Sequence, residues 1–160
     1  AVSWVIPTPE DSDHPGAGSD RGPSWVSTVV DAIGESSNWN STAIIVVWDD
    51  WGGWYDNASP PQLDYRGLGI RVPCLVISPY AKAGYVDHTQ YEFGSILKTI
   101  EETFGIASIG TTDVRATDMF AAFDFTQKPR AFKPFKAKYP PSDFQWEPPS
   151  KLSIPDPGDQ

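Results

Sequence analysis

Trp48-Asp49-Asp50-Trp51-Gly52-Gly53-Trp54-Tyr55-Asp56 follows directly on Ala43-Ile44-Ile45-Val46-Val47, an unbroken apolar stretch rich in β-branched residues. Such a stretch reads as a strand buried on both faces. Adjacent carboxylates at the exit of a buried strand are costly unless something compensates them, because like charges repel and burial removes the water that screens them. A divalent cation resolves the conflict, and carboxylate oxygens are natural ligands for a hard ion. The glycines that follow let the backbone turn sharply and approach a ligand closely. Asp49 and Asp50 are therefore candidate metal ligands at the end of a central strand. The plainer alternative makes Asp49 a cap or loop acceptor and Asp50 a solvated loop charge.

Two other loops carry similar chemistry. One holds Asp11, Asp13 and His14, the other Asp87 and His88. In α/β sheets, ligands bind outside the carboxyl ends of the strands. Gathered at one edge, these loops bring both histidines of the chain to the aspartate pair, the makings of a metal-assisted phosphoester site. His14 reads equally as an ordinary turn residue, and His88 as a residue that only closes its loop. Trp48, Trp51 and Trp54 form either a wall around a substrate or the packing of a sheet edge. The G-x-x-x-x-G-K phosphate loop and the G-x-G-x-x-G fingerprint are both absent.

The elements that must position these residues alternate. Residues 2–6 read as a strand, and residues 7–23, rich in Pro, Gly, Ser and Asp, as a long loop. Ser24 is a candidate N-cap for a helix to about Ser36, with Val26, Val29, Val30 and Ile33 at helical spacing. Strands follow at residues 43–48 and 72–78. Thr89 and Glu92 suit a capping box. Phe93, Ile96, Leu97, Ile100 and Phe104 then share one helical face, and Gly105 is a stop. Buried strands alternating with amphipathic helices predict a layered α/β fold. Residues 1–130 form the α/β unit. Residues 131–160 form a proline-rich tail, either extended over the domain or serving as a disordered or partner-binding arm.

The 160 residues suffice for one domain with a core. At 39% hydrophobic and 21% charged, the chain is globular rather than disordered. A net charge of −9 argues against a duplex-binding protein, so no nucleic-acid partner is expected. A phosphorylated substrate stays open, since a metal supplies the positive field that the composition lacks. The single cysteine, Cys74, reads as a small core thiol. No apolar run reaches the roughly 20 residues needed to span a bilayer.

These residues resemble a known group. The run from Ala43 through Asp56, the run Gly67-Leu68-Gly69-Ile70-Arg71-Val72-Pro73, and Val76-Ile77-Ser78-Pro79-Tyr80-Ala81 are similar to motifs of a bacterial phosphoesterase family. So are His88-Thr89-Gln90-Tyr91-Glu92-Phe93-Gly94-Ser95-Ile96-Leu97-Lys98 and the opening from Ser3-Trp4-Val5 to Asp13-His14-Pro15. That family includes phospholipase C of the non-haemolytic type and a group of acid phosphatases, within the alkaline-phosphatase-like superfamily. The resemblance implies a three-layer α/β/α sandwich with a mixed central sheet, of which this chain is the C-terminal part. It also implies hydrolysis of phosphate mono- or diesters through a covalent phospho-enzyme. Asp49 and Asp50 match the family's metal-binding pair, His14 a histidine that contacts phosphate, and His88 a late histidine at the metal site. Family members carry an earlier Glu-Asn metal pair and a serine or threonine nucleophile, and nothing here matches that region. Asn57 stands where many relatives have histidine, and an amide cannot accept a proton as imidazole does.

The reading is thus a metal-dependent phosphoesterase, with the divalent ion open among Ca, Mn, Zn and Mg. This chain supplies Asp49, Asp50, His14 and His88. The nucleophile lies in an earlier segment or a partner chain, since Ser12 and Ser78 are candidates by location alone. The expected partners are a phosphate ester, meaning a phospholipid head group or a small monoester, and the fragment or chain that completes the site, or a second copy. Location outside the cytoplasm follows by analogy. The rival is a non-catalytic structural or ligand-binding subunit on the same scaffold.

Overall fold

The first helix, α1 (Arg21–Gly34), begins at Asp20, earlier than its expected cap at Ser24. Ser24 lies inside the first turn, where its hydroxyl donates to the Asp20 carbonyl at 2.7 Å. At the far end Ser36 closes the helix by donating to the Ile33 carbonyl at 2.7 Å. The computed structural model describes residues 1–15 and 20–150. Gly16 of the Asp13-His14-Pro15-Gly16 turn and the last ten residues of the proline-rich tail lie outside that range.

Strands β1 (Ile44–Val47) and β2 (Cys74–Ile77) pair antiparallel, with Ile44 opposite Ile77 and Val47 opposite Cys74. This register has a consequence for the site. The chain leaves β1 toward Asp49 and Asp50 at one end of the sheet, and leaves β2 toward Asp87 and His88 at the other. One carboxyl edge gathering the loops that follow these strands is therefore not formed. Residues 2–6 form no strand: Trp4 is 65% exposed and Ile6 85%. A β-branched run becomes a strand only when another chain segment satisfies its backbone groups.

Among the described residues the sheet has two strands, and with two helices the fold is mixed α/β. The expected three-layer sandwich with a larger mixed sheet is not seen there. Nor are the strands buried on both faces: β1 is half-buried throughout, and Cys74 and Leu75 of β2 are exposed. Cys74 is therefore not a core thiol.

Helix α2 (Phe93–Phe104) starts from a different cap than expected. Glu92 is the N-cap and Ser95 its reciprocal partner, the Ser95 hydroxyl accepting the Glu92 N–H at 3.2 Å. Thr89 instead donates its N–H to Asp87. The helix stops at Gly105, whose φ of 62° is the left-handed conformation that glycine adopts without penalty. Its buried residues are Gly94, Ser95, Thr99 and Glu101, while Phe93 and Phe104 of the expected apolar stripe stay exposed. Gly94 explains why: a Cβ there would lie 2.7 Å from the Thr112 backbone, so this face seats against the 3-10 turn Thr112–Val114. Asp113 in that turn is buried and accepts from the Thr111 N–H and hydroxyl, both at 2.7 Å, and from Ser108. The Ser108 bond first, then those from Thr111, hold its carboxyl well below the usual range. Thr99 stitches α2 to the next segment, donating to the Ser95 carbonyl at 2.7 Å and accepting the Met119 N–H at 2.9 Å.

The described part of the tail returns along α1. Arg130 accepts from the Trp39 indole at 2.7 Å through its carbonyl. The Phe132 ring covers Gly34, leaving no room there for a Cβ. Farther on, the Phe135 N–H donates to Asp31 and Lys138 pairs with Asp20 at 2.5 Å.

Candidate functional site

The turn carrying His14 is built locally. A 3-10 turn, Pro9–Asp11, precedes it. The Ser12 hydroxyl donates to the Pro9 carbonyl at 2.9 Å and accepts the His14 N–H at 3.4 Å. Asp13 takes a positive φ of 64°, a conformation aspartate tolerates better than most residues. That reverses the chain so that His14 stands exposed, its Nδ1 2.9 Å from the Pro15 carbonyl. Gly22 of α1 allows the approach, since a Cβ on it would lie 2.9 Å from that of Asp13. Asp11, grouped with His14 in the sequence, is instead buried and paired with Arg21 at 2.7 Å.

The second loop leaves β1 at Trp48. Asp50 accepts the Gly52 N–H at 2.7 Å, and the Trp54 N–H donates to the Trp51 carbonyl at 3.0 Å. Gly52 and Gly53 both have positive φ, 59° and 79°. This tight turn leaves Asp49 exposed, with no hydrogen bond or ion pair among the described residues, and Asp50 with one oxygen committed to the backbone. Neither is paired with lysine or arginine there. Trp54 and Tyr55 are exposed by 74% and 88%, so Trp54 does not pack a sheet edge in this chain.

The two loops meet. A Cβ on Gly52 would lie 3.1 Å from Pro15 Cγ, so the residue after His14 rests against the turn that follows Asp50. His88 is exposed on the loop that leaves the opposite end of the sheet. Beside it, Asp87 accepts the Thr89 N–H at 2.9 Å and the Tyr91 hydroxyl at 2.8 Å. Burial and then Asp87 push the Tyr91 phenol up to about 12.

Oxygen donors of Asp49 and Asp50 suit a hard cation, but they are only part of a coordination shell. Among the described residues no group of three or more His, Cys, Asp or Glu side chains is placed to hold a metal. The serines named by location have structural duties. Ser12 closes the His14 turn, and Ser78 is buried with its hydroxyl accepting the Tyr80 N–H.

Sequence reasoning missed the charge pairs that shape these loops. Arg71 grips Asp56 through two nitrogens at 2.6 and 2.9 Å and holds its carboxyl down to about 2. Asp56 is thus committed to its own loop. Arg115 bridges Asp64 at 2.6 Å and both oxygens of Glu92 at 2.9 and 2.8 Å, fastening the same long loop to the start of α2. Arginines far apart in sequence from their carboxylates give no periodic signal.

Comparison with known proteins agrees with these motifs. The chain is similar to phospholipase C B of Mycobacterium tuberculosis, 32% identical over 83% of this chain and 31% of the relative. It is similar to a non-hemolytic phospholipase C of Pseudomonas aeruginosa, 29% identical over 78% of this chain and 23% of the relative. A third relative is non-specific phospholipase C3 of Arabidopsis thaliana, 29% identical over 67% of this chain and 25% of the relative. The chain spans less than a third of the length of these relatives. Residues 1–107 match the Phosphoesterase family, and the chain belongs to that family.

Proposed function

We propose that this chain is part of a metal-dependent phosphoesterase of the phospholipase C or acid phosphatase type, acting on phosphate mono- or diesters. One structural observation carries the reading: Pro15 rests on Gly52, so that the loops bearing His14 and the Asp49–Asp50 pair adjoin. In this reading Asp49 and the free oxygen of Asp50 are ligands of a divalent cation. Such an ion neutralises non-bridging phosphoryl oxygens and activates a nucleophile. His14, exposed on the adjoining loop, donates to a phosphoryl oxygen or protonates the leaving group. His88 is a late histidine of the same site by family analogy alone. Its loop leaves the far end of the sheet, so it reaches the site only across that sheet.

The nucleophile and the remaining ligands lie outside this chain, in an earlier segment of the same domain. Relatives about three times as long support this, as 31% coverage implies. So does the apolar surface left open at Trp4, Ile6, Leu75, Phe93 and Phe104. A three-layer sandwich then forms when that segment adds strands to the sheet, with residues 131–160 as its closing tail. Export from the cytoplasm belongs to the same reading, and cell fractionation tests it. Among the described residues no helix is long and apolar enough to cross a membrane.

Calorimetry with Mn²⁺ or Ca²⁺ tests the metal centre. Ion binding by the wild type that is lost in Asp49→Ala supports it. Equal behaviour of the two proteins overturns it in favour of a non-catalytic scaffold. A chromogenic phosphomonoester assay tests the split site: robust turnover by this chain alone would refute it. Size-exclusion and scattering measurements distinguish a second copy from an earlier segment as the cover for the apolar face.

A further inference from the structure

Arg21 joins three parts of the chain. Its Nε donates to Asp11 Oδ1 at 2.7 Å, and a second nitrogen bonds Glu147 of the C-terminal segment. Its guanidinium also lies 5.7 Å from the centre of the Tyr139 ring and 5.1 Å from that of Phe144. Asp11 is 1% exposed and takes a further bond from the Thr8 hydroxyl at 3.3 Å. A carboxylate so buried is tolerated only when paired. Nearby, the Ser150 hydroxyl donates to Glu10 at 2.8 Å and the Tyr139 N–H to the Ser24 hydroxyl at 3.3 Å. The tail is thus fastened to the 3-10 turn Pro9–Asp11, which leads directly into His14.

We propose that Arg21 and Glu147 are positioning residues for His14, the segment 139–150 acting as a strap that clamps the turn from which His14 projects. The proposal rests on the reading that His14 meets a phosphoryl group. It adds that the geometry of this histidine is set through Asp11 by a residue more than a hundred positions away. The strap acts at the base of the turn. Asp11 is held by Arg21, Asp13 is pressed against Gly22, and Pro15 rests on Gly52, which leaves the intervening His14 few backbone options.

Glu147 faces Asp11, Glu10 and Arg21, with Asp143 also close to Arg21. Its carboxyl is raised, first by a hydrogen bond to Asp11 and then by burial. A raised carboxyl favours the folded strap below the ordinary glutamate range. That contribution is lost as pH rises through the elevated folded value.

The chain's two histidines make the test simple, His88 serving as an internal control. Ring signals of both are followed by NMR at one pH, together with amide exchange of residues 9–14 and of α2. In Glu147→Ala the His14 signal shifts and broadens, and exchange at residues 9–14 rises about tenfold or more, as loss of a charge-assisted hydrogen bond implies. His88 and α2 stay as in the wild type. Glu147→Gln, which can donate to Asp11 and accept from Arg21, restores the wild-type pattern. Arg21→Met reproduces Glu147→Ala if it folds; Glu147→Ala, on the tail, decides the matter if it does not. Unchanged His14 signals in Glu147→Ala, equal changes at His14 and His88, or a Gln variant as disrupted as Ala overturn the proposal. None of these readouts needs metal or substrate, so failure here is distinct from failure of the metal test on Asp49.

Discussion

Gly52 is the place where the candidate site can be pulled apart without touching its chemistry. Two costs attend a side chain there. The φ of 59° puts an L-residue in the left-handed region, at about 1–2 kcal/mol. The new Cβ also meets Pro15 Cγ at 3.1 Å and Trp54 Cδ1 at 3.4 Å. Gly53 separates the two effects, because its φ of 79° carries the same strain while nothing lies within 4 Å of an added Cβ. Gly53→Ala should therefore destabilise by about 1–2 kcal/mol in urea unfolding, and Gly52→Ala by visibly more. A double-mutant cycle with Pro15→Ala isolates the excess. If the two loops touch, Gly52→Ala and Pro15→Ala couple by about 0.5 kcal/mol or more, because the smaller residue 15 relieves the crowding. Effects of proline on the unfolded chain cancel in the cycle. Additivity within about 0.3 kcal/mol, or equal costs at Gly52 and Gly53, would refute the contact on which the adjacency of the two loops depends.

Two further outcomes concern the scaffold. Thr99→Val keeps the shape of the side chain but leaves the buried Met119 N–H without an acceptor, so it should cost about 1–3 kcal/mol. That corresponds to a melting point about 2–12 °C lower; Thr99→Ser, which keeps the hydroxyl, should lose far less, and a Val variant as stable as wild type would contradict the bond. The Asp56 carboxyl, depressed first by its bond from Arg71, should titrate near 2 by NMR and move back toward 3.8 in Arg71→Ala. Its pairing supports the fold above the ordinary aspartate range and is lost as pH falls through the depressed value. An Asp56 midpoint indifferent to Arg71→Ala would remove that pair as the loop's anchor.

Local rules read well where the cause is local. Gly105 ends α2 because its left-handed φ is available to glycine, and that is visible in one residue. Paired glycines after Asp50 make the turn they suggest. Errors arose where a partner decides. The cap of α2 fell to Glu92 and Ser95 rather than Thr89, because Asp87 captured the Thr89 N–H. Residues 2–6 have the composition of a strand, yet no segment among those described pairs with them. The apolar stripe of α2 suggested its buried face, but Gly94 and Thr99 seat the helix against the segment 112–119 and leave Phe93 and Phe104 at the ends of that stripe exposed.

The sequence alone was enough to point to the family, to single out the candidate residues Asp49, Asp50, His14 and His88, and to order α1, β1, β2 and α2, though it also suggested a strand at residues 2–6 that does not form. Those depend on residue type and short spacing, which a linear chain carries in full. Tertiary structure decided which loops meet: Pro15 against Gly52 sets the loop of His14 against the loop of the aspartates, while antiparallel pairing sends the His88 loop from the other end of the sheet. It also turned Asp11 from a polar residue of the His14 loop into the buried partner of Arg21. A carboxylate is the same group in both roles. Only the charges that folding places beside it, and the water that folding removes, determine which role it takes.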